Sequence, residues 1–149
     1  MVDGMSEHRE LKTLSRAESL DLLVTTWIGR VIMTSNAMPT AMPVNFVLDD
    51  GAIVFRSGPG IKLTAAETGT VVAFEADYFD PELHMGWSVL VTGVARRVTD
   101  PAEIRHAESL DIPTWVEPTS EWGYARIEAG VVSGRRLVPA LTDLPAQVF

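Results

Sequence analysis

The dipeptide Asp50-Gly51 separates two short apolar runs, residues 44–48 and 52–55, which are rich in Val, Ile, Leu and Phe. A two-residue hairpin loop needs positive backbone φ angles, which Asp and Gly adopt more readily than most residues. We therefore predict a β-hairpin over residues 43–55. A strand needs neighbouring strands with which to form backbone hydrogen bonds. Further β-prone runs at 70–76 and 87–98 can supply them.

Helices are predicted at three places, each by a local signal. A capping box at residues 15–18 starts the first helix, which is expected to end at Gly29 with Leu20, Leu23 and Trp27 on one side. A second helix should occupy residues 61–67 after a glycine-rich turn. Asp and Pro open a third helix over residues 100–110.

The predicted strands outnumber the helices and lie close together in the sequence. This order favours a small antiparallel barrel with helices on its outside over a parallel sheet. We expect Gly93 to bend the longest strand and residues 77–85 to form a loop. The last two strands, 124–129 and 131–139, are expected to pair as a hairpin.

Length and composition limit the number of domains and the class of function. A chain of 149 residues favours one domain, so residues 14–149 are predicted to form it behind a flexible lead-in at 1–13. The net charge of −8 opposes nucleic-acid binding, which requires a basic surface. Cysteine is absent, and no apolar run approaches the ~20 residues of a membrane-spanning helix. We expect a cytoplasmic protein that binds no membrane.

The glycine-rich turn after the hairpin carries the clearest functional signal. Gly58 and Gly60 allow a close approach of the backbone to a ligand, and the helix that starts nearby offers unpaired N–H groups. Arg56, Ser57 and Lys62 add a guanidinium, a hydroxyl and an ammonium, which suit a phosphate ester. Lysine occurs only twice in the chain. The alternative is a plain strand-to-helix connector with solvated charges.

Other chemical motifs are missing. No metal site is predicted, because His8, His84 and His106 are far apart in sequence and belong to no ligand pattern. The Gly-x-Ser-x-Gly elbow of serine hydrolases and the Gly-x-Gly-x-x-Gly turn of dinucleotide folds are also absent. Trp122 lies in a polar context, where an aromatic side chain either packs in the core or marks an interface.

Four segments occur in an order and spacing that resemble a known family. They are Pro43-Val-Asn-Phe46, Phe55-Arg-Ser-Gly-Pro-Gly-Ile-Lys-Leu63, Val71-Val-Ala-Phe-Glu-Ala-Asp77 and Gly86-Trp-Ser-Val-Leu-Val-Thr-Gly-Val-Ala95. The chain resembles the pyridoxamine 5′-phosphate oxidase-like, FMN-binding split β-barrel family, in particular its short bacterial branch. The resemblance implies a mainly β (α+β) fold, a small antiparallel split β-barrel that is Greek-key-like and has short peripheral helices.

The resemblance also implies a cofactor site. In that family the strand matching residues 41–46 lines the flavin ring, the glycine-rich turn holds the FMN phosphate, and the position matching Ser88 contacts the flavin. Members are homodimers with the flavin at the subunit interface, which would give Trp122 a partner-facing role. No catalytic residue is identified. The expected cofactor-binding residues are Met42, Pro43, Val44, Asn45, Phe46, Arg56, Ser57, Gly60, Ile61, Lys62, Ser88 and Trp122.

Departures from the family pattern bear on the substrate. Phe46 and Val47 stand where vitamin B6 oxidases carry a lysine, and Arg135-Arg-Leu137 replaces their Arg-x-His. Nitroimidazole-reductase-like relatives often have histidine where Arg56 stands. We therefore expect an FMN-dependent oxidoreductase acting on a small organic substrate other than vitamin B6. The alternatives are a deazaflavin-dependent reductase and a non-catalytic flavin-binding protein for storage or regulation.

Overall fold

A computed structural model describes residues 8–139 of the chain, which contain eight strands and three helices. The helices are α1 (Arg16–Leu23), α2 (Ile61–Glu67) and α3 (Pro101–Ser109). The strands are β1 (Arg9–Leu14), β2 (Ile28–Ser35), β3 (Met38–Asp49), β4 (Ala52–Ser57), β5 (Val71–Asp80), β6 (Met85–Arg97), β7 (Gly123–Glu128) and β8 (Val131–Pro139). No helix within 8–139 is long and apolar enough to cross a membrane.

Six of the strands close into an antiparallel barrel. Its order is β6-β5-β2-β3-β4-β7, and pairing of β7 with β6 completes the ring. Strands β2, β3 and β4 follow one another, and β5 then returns beside β2, which is the Greek-key arrangement. Strands β8 and β1 extend the sheet from β6. The predicted mainly β barrel with short outer helices is therefore confirmed.

The predicted hairpin of the last two strands is wrong, because β7 and β8 both pair with β6 instead of with each other. The segment Gly86 to Thr92 of β6 pairs with β8, and Ala95 to Arg97 pairs with β7. Gly93 lies between the two segments, where a Cβ atom would stand 1.8 Å from the Glu128 carbonyl oxygen. Gly93 therefore lies where one long strand changes its partner from β8 to β7, and its lack of a side chain allows the close approach of Glu128.

The first helix is shorter than predicted. Helix α1 ends at Leu23, and Gly29 lies inside β2. The segment after the helix contains β-branched residues, and the Thr25 hydroxyl donates a hydrogen bond of 2.6 Å to the Leu22 carbonyl, which competes with helix continuation. Trp27 lies beyond the end of the helix and is 67% exposed, so it does not share a helix side with Leu20 and Leu23 as predicted.

The loop predicted at residues 77–85 is also shorter. Strand β5 continues to Asp80 and β6 begins at Met85, so only four residues connect them. The Asp80 carboxylate accepts hydrogen bonds from the backbone N–H groups of Glu82 and Leu83. This turn allows β5 and β6 to pair over their full facing lengths.

The predicted flexible lead-in is partly ordered as a strand. Strand β1 pairs with β8 from Arg9↔Pro139 to Leu14↔Gly134. Residues 9–14 are ordered because they pair with β8, which is far away in sequence. The local composition of this segment therefore did not predict a strand. Residues 1–7 lie outside the described part of the chain.

The barrel core is built from aromatic and branched side chains, which bury apolar surface. Phe46 on β3 and Phe74 on β5 meet edge to face, with ring centroids 4.7 Å apart. Helix α2 packs Leu63, Ala65 and Ala66 against the same core. These contacts fix the end of β4 and the start of α2, which frame the candidate site.

Candidate functional site

The barrel opens where β3 and β4 separate. They pair from Asp49↔Ala52 to Phe46↔Phe55. Beyond that point β4 is paired only with β7, and β3 is paired only with β2. The side of β3 that faced β4 is thus free of strand pairing over residues 38–45 within the described chain. Pro43, which has no N–H group to donate, lies in this stretch. Proline is tolerated in a strand at an unpaired edge of this kind, because such an edge requires no donor.

A cleft of about 530 Å³ fills the gap between the two strands. One wall is the open segment of β3, and the other is the end of β4 with the glycine-rich turn. The cleft brings together most of the residues expected from the sequence. These are Met42, Pro43, Val44, Asn45, Arg56, Ser57, Gly60, Ile61, Lys62 and Trp122.

Phe46 and Ser88 do not line the cleft. The Phe46 side chain is fully buried in the core, and its backbone N–H donates a hydrogen bond of 2.9 Å to the Trp27 carbonyl oxygen. Ser88 is exposed on β6, where its neighbours in the sheet are Asp77 and Arg135. Phe46 therefore stabilises the strand that carries the site, and Ser88 lies on a different surface of this chain.

Two cations face the cleft without a carboxylate partner. Arg56 and Lys62 form no ion pair with any of residues 8–139, and no acidic residue is among the described residues that line the cleft. Burial lowers the pKa of Lys62 below its ordinary 10.5. The Nε atom of Arg56 is buried and has no hydrogen-bond partner there. Since a buried polar group without a partner is costly, this arrangement favours an anionic ligand.

Arg56 is held in place by an aromatic ring. Its guanidinium carbon lies 5.1 Å from the centre of the Tyr124 ring, within the range of a cation–π contact. The register of β4 and β7 places the two residues opposite each other. By contrast, Arg30 and Arg96 on other surfaces bind carboxylates of Glu75 and Glu103.

The turn between β4 and α2 shapes the cationic wall. Ser57 is 5% exposed and donates its hydroxyl hydrogen to the Gly58 carbonyl at 3.0 Å, which leaves its oxygen lone pairs as acceptors. Gly60 precedes α2 with a φ of 152°, a conformation that residues with a Cβ atom rarely adopt, and open space lies around it. No side chain caps the N-terminus of α2.

Gly58 lines the cleft and makes room there for a neighbouring side chain. A Cβ atom at Gly58 would lie 3.1 Å from Nε1 of Trp122, so the indole packs against the turn. Trp122 is half-buried and lines the cleft. The absence of a side chain at Gly58 therefore allows Trp122 to pack against the turn, and the backbone approach to a ligand at this glycine stays a prediction.

A loop that sequence reasoning missed completes the cleft. It lies between α3 and β7 and contributes Pro113, Thr114, Trp115 and Val116. Trp115 is 78% exposed and Val116 is also exposed. The sequence signal for this loop was the apolar pair Trp115-Val116 inside a polar segment.

A slightly larger cavity of about 570 Å³ lies between α3 and the ends of β3 and β7. Its charged groups satisfy one another, since Arg126 binds the Asp49 carboxylate at 2.7 Å and His106 contacts the same carboxylate at 3.0 Å. The Arg126 hydrogen bond, with help from His106, holds the pKa of Asp49 below its usual value. Unlike Arg56 in the cleft, Asp49, His106 and Arg126 contact one another, and these contacts link α3 to the barrel.

Comparison with known proteins identifies the family. Residues 15–136 match the family model described as pyridoxamine 5′-phosphate oxidase. The Mycobacterium tuberculosis protein Rv0080, whose name describes it as uncharacterised, is 38% identical over 87% of this chain and 88% of its own length. The chain therefore belongs to the pyridoxamine 5′-phosphate oxidase family, as the sequence resemblance predicted.

Two solved structures are similar in both sequence and fold. The FAD binding protein from Mycobacterium smegmatis has a TM-score of 0.71 at 35% identity, covering 84% of this chain and 98% of its own. A FAD-binding protein from Mesorhizobium loti has a TM-score of 0.71 at 25% identity, covering 85% and 97% of the two chains.

Proposed function

We propose that this protein binds a flavin nucleotide in the cleft between β3 and β4 and acts as an oxidoreductase on a small organic substrate. FMN is the cofactor of this proposal, and the substrate is a small organic molecule other than vitamin B6. One observation carries the proposal. Arg56 and Lys62 face a cleft that no acidic residue among residues 8–139 lines, in a chain whose net charge is −8.

The cationic wall fits a phosphate ester. Arg56 would donate two N–H groups to phosphate oxygens, and Lys62 would add a point charge at the start of α2. Burial of Lys62 disfavours its charged form, and a bound dianion would offset that penalty. The Ser57 oxygen lies in the same turn and would serve as a secondary contact.

The open side of β3 fits the flavin ring. Backbone N–H and C=O groups on this side, from Met42 to Asn45, have no strand partner on the cleft side within the described residues. They would form hydrogen bonds to the polar edge of the ring, while the indole of Trp122 would cover the turn. When bound, the flavin supplies hydride and electron transfer, and the protein supplies its binding and orientation.

Two relatives support a flavin as the cofactor. Both solved structures cited above are named as FAD-binding proteins, and each covers more than four fifths of this chain. The proposal extends that property to this protein because the cleft here carries the unpaired cations that a flavin phosphate requires. A deazaflavin coenzyme with the same phosphate is the second candidate, and a non-catalytic flavin carrier is the third.

We also propose a homodimer with the cofactor at the subunit interface. The outward side of the sheet exposes Leu90, Val94 and Val131, and an apolar surface of this kind favours association. Ser88 lies two residues from Leu90 and thus on the same side of β6. Ser88 does not line the cleft of its own chain. Docking of a second copy on this side would bring Ser88 of the partner subunit to the flavin bound in that cleft.

The absorbance spectrum of the purified protein, followed by titration with FMN and then with a deazaflavin coenzyme, tests the proposal. We expect a flavin spectrum or saturable FMN binding, and a mass of twice 16.3 kDa by light scattering. A colourless protein that binds only the deazaflavin would favour the second candidate. A protein that binds neither would overturn the cofactor assignment.

A further inference from the structure

A small groove lies beside the cleft, at the start of β2. Its volume is about 290 Å³, near the lower end of the roughly 300–1,000 Å³ range of ligand pockets. Asn45 and Trp115 line both the groove and the cleft, so the two cavities adjoin at these residues. The other residues that line the groove are Thr25, Thr26, Trp27 and Ile28.

The fold directs the Asn45 side chain away from the barrel core. Its neighbours in sequence, Val44 and Phe46, are both buried, and successive side chains of a strand point to opposite faces. Ile28 is opposite Asn45 in the register of β2 and β3, so these two side chains share the outer face. The Phe46 N–H donates a hydrogen bond of 2.9 Å to the Trp27 carbonyl oxygen. The groove therefore rests on a paired part of the barrel.

Two exposed indoles belong to this groove. Trp27 is 67% exposed and Trp115 is 78% exposed, although large aromatic side chains are usually well buried. An exposed indole offers a broad flat surface on which another aromatic ring stacks favourably. The groove thus favours a planar aromatic ligand.

The polar groups of the groove point to an uncharged ligand. The Asn45 amide and the Thr26 hydroxyl are half-buried and form no side-chain hydrogen bond within residues 8–139. Each of these groups can both donate and accept a hydrogen bond. No residue that lines the groove in the described chain carries a charge. An ionic group bound there would lose water without gaining a counter-charge, whereas a neutral polar substituent would find partners.

We propose that the groove is the substrate subsite of the flavin cleft, and that it takes an uncharged, planar aromatic compound with a polar substituent. This inference rests on the proposed function, since the flavin ring must lie along residues 42–45 of β3. Asn45 ends that stretch and also lines the groove, so a compound in the groove lies beside the flavin. Direct transfer between flavin and substrate requires such proximity. The aromatic face stacks on Trp27, and the polar substituent forms hydrogen bonds with Asn45 and Thr26.

The test measures the binding of two naphthalene probes to the FMN-saturated full chain by isothermal titration calorimetry. The probes are 2-naphthamide, which is uncharged, and 2-naphthoate, which has nearly the same shape and is anionic. We expect saturable binding of 2-naphthamide, much weaker binding of 2-naphthoate, and no displacement of FMN by either probe. Trp27→Ala should weaken the binding of 2-naphthamide about tenfold, because stacking on the indole is lost, and leave FMN affinity unchanged.

Two further variants separate contacts in the groove from effects on the fold. Thr26→Val removes the hydroxyl and keeps the shape of the side chain, so 2-naphthamide should bind about two- to tenfold more weakly. Phe79→Ala removes an exposed aromatic side chain that lines neither cavity, and this matched control should bind 2-naphthamide as the wild type does.

The opposite results separate this inference from the proposed function. Equal affinities for the two probes, or binding of 2-naphthamide that Trp27→Ala leaves unchanged, would overturn the subsite and leave flavin binding intact. Competition between 2-naphthamide and FMN would place the probe in the cleft and would also overturn the subsite. Conversion of a dimer to a monomer by Trp27→Ala in light scattering would assign the groove to a second copy instead. A wild-type chain that binds no FMN would contradict the proposed function itself.

Discussion

Arg56 lies over the ring of Tyr124, with 5.1 Å between the guanidinium carbon and the ring centre. The contact orients the guanidinium on the cleft wall without neutralising its charge. A carboxylate partner would have fixed the same side chain but would have competed with an anionic ligand. The aromatic support therefore leaves the full positive charge of Arg56 available to a phosphate.

Replacement of either cation should weaken FMN binding. In Arg56→Ala and Lys62→Ala we expect a loss of about ten- to a hundredfold each, since charge-assisted hydrogen bonds contribute roughly 1.5–3 kcal/mol. Fluorescence titration with FMN measures the loss. Riboflavin, which lacks the phosphate, should bind almost equally to both variants and the wild type, and Arg105→Ala is a control outside the cleft. Equal losses for FMN and riboflavin would show that these residues only support the fold.

Removal of the aromatic support should have a smaller effect. In Tyr124→Leu the guanidinium loses its cation–π contact, which contributes about 0.5–1 kcal/mol. We expect FMN affinity to fall roughly two- to fivefold, with little change in thermal stability because Tyr124 is only half-buried. Tyr124→Phe keeps the ring and should retain wild-type affinity. A loss of the same size in both variants would point to the hydroxyl and contradict the ring contact.

FMN binding should weaken at alkaline pH. Burial lowers the pKa of Lys62 from its ordinary 10.5, so the ammonium loses its proton at a lower pH than an exposed lysine does. Affinity should be highest below this lowered pKa and fall as the pH rises through it. Dissociation constants measured between pH 7 and 10 test this, and Lys62→Arg should keep its affinity over the whole range. A pH profile shared by both proteins would exclude Lys62 as the titrating group.

A second pH effect should concern stability. Burial and the neighbouring Asp77 raise the pKa of Glu75 from 4.5 to about 7. Because the folded state holds this proton more tightly than the unfolded state, stability should fall as the pH rises from 4.5 to 7 and stay lower above it. In Glu75→Gln this proton is absent, so the pH-dependent loss of stability disappears. The difference in unfolding free energy between Glu75→Gln and the wild type should therefore shift in favour of the variant by about 1–2 kcal/mol as the pH rises from 4.5 to 7, after allowance for solvent screening.

Thermal unfolding at pH 4.5, 6 and 8 measures the Glu75 effect. Glu117→Gln replaces an exposed carboxylate in the loop before β7 and should follow the wild type at every pH. If the Glu75→Gln and wild-type curves remain parallel, the carboxylate of Glu75 does not titrate in this window.

Local signals in the sequence predicted the parts of the site that are close together in the chain. The Asp50-Gly51 hairpin and the turn that carries Arg56 and Lys62 depend on short-range backbone preferences, and the structure has both. The partner of β8 and the loop around Trp115 depend on contacts between distant segments. Neither local propensity nor composition reports such contacts, so the sequence predicted a hairpin at the end of the chain and left Trp115 out of the site.

The pairing of β7 with β6 has a consequence for biosynthesis. Until residues 123–128 have left the ribosome, β4 and the far end of β6 both lack their partner strand. A nascent or truncated chain that stops before Gly123 thus presents two unsatisfied sheet edges, which are sites of intermolecular strand pairing. Premature termination in this region should yield an aggregating product instead of a smaller folded protein.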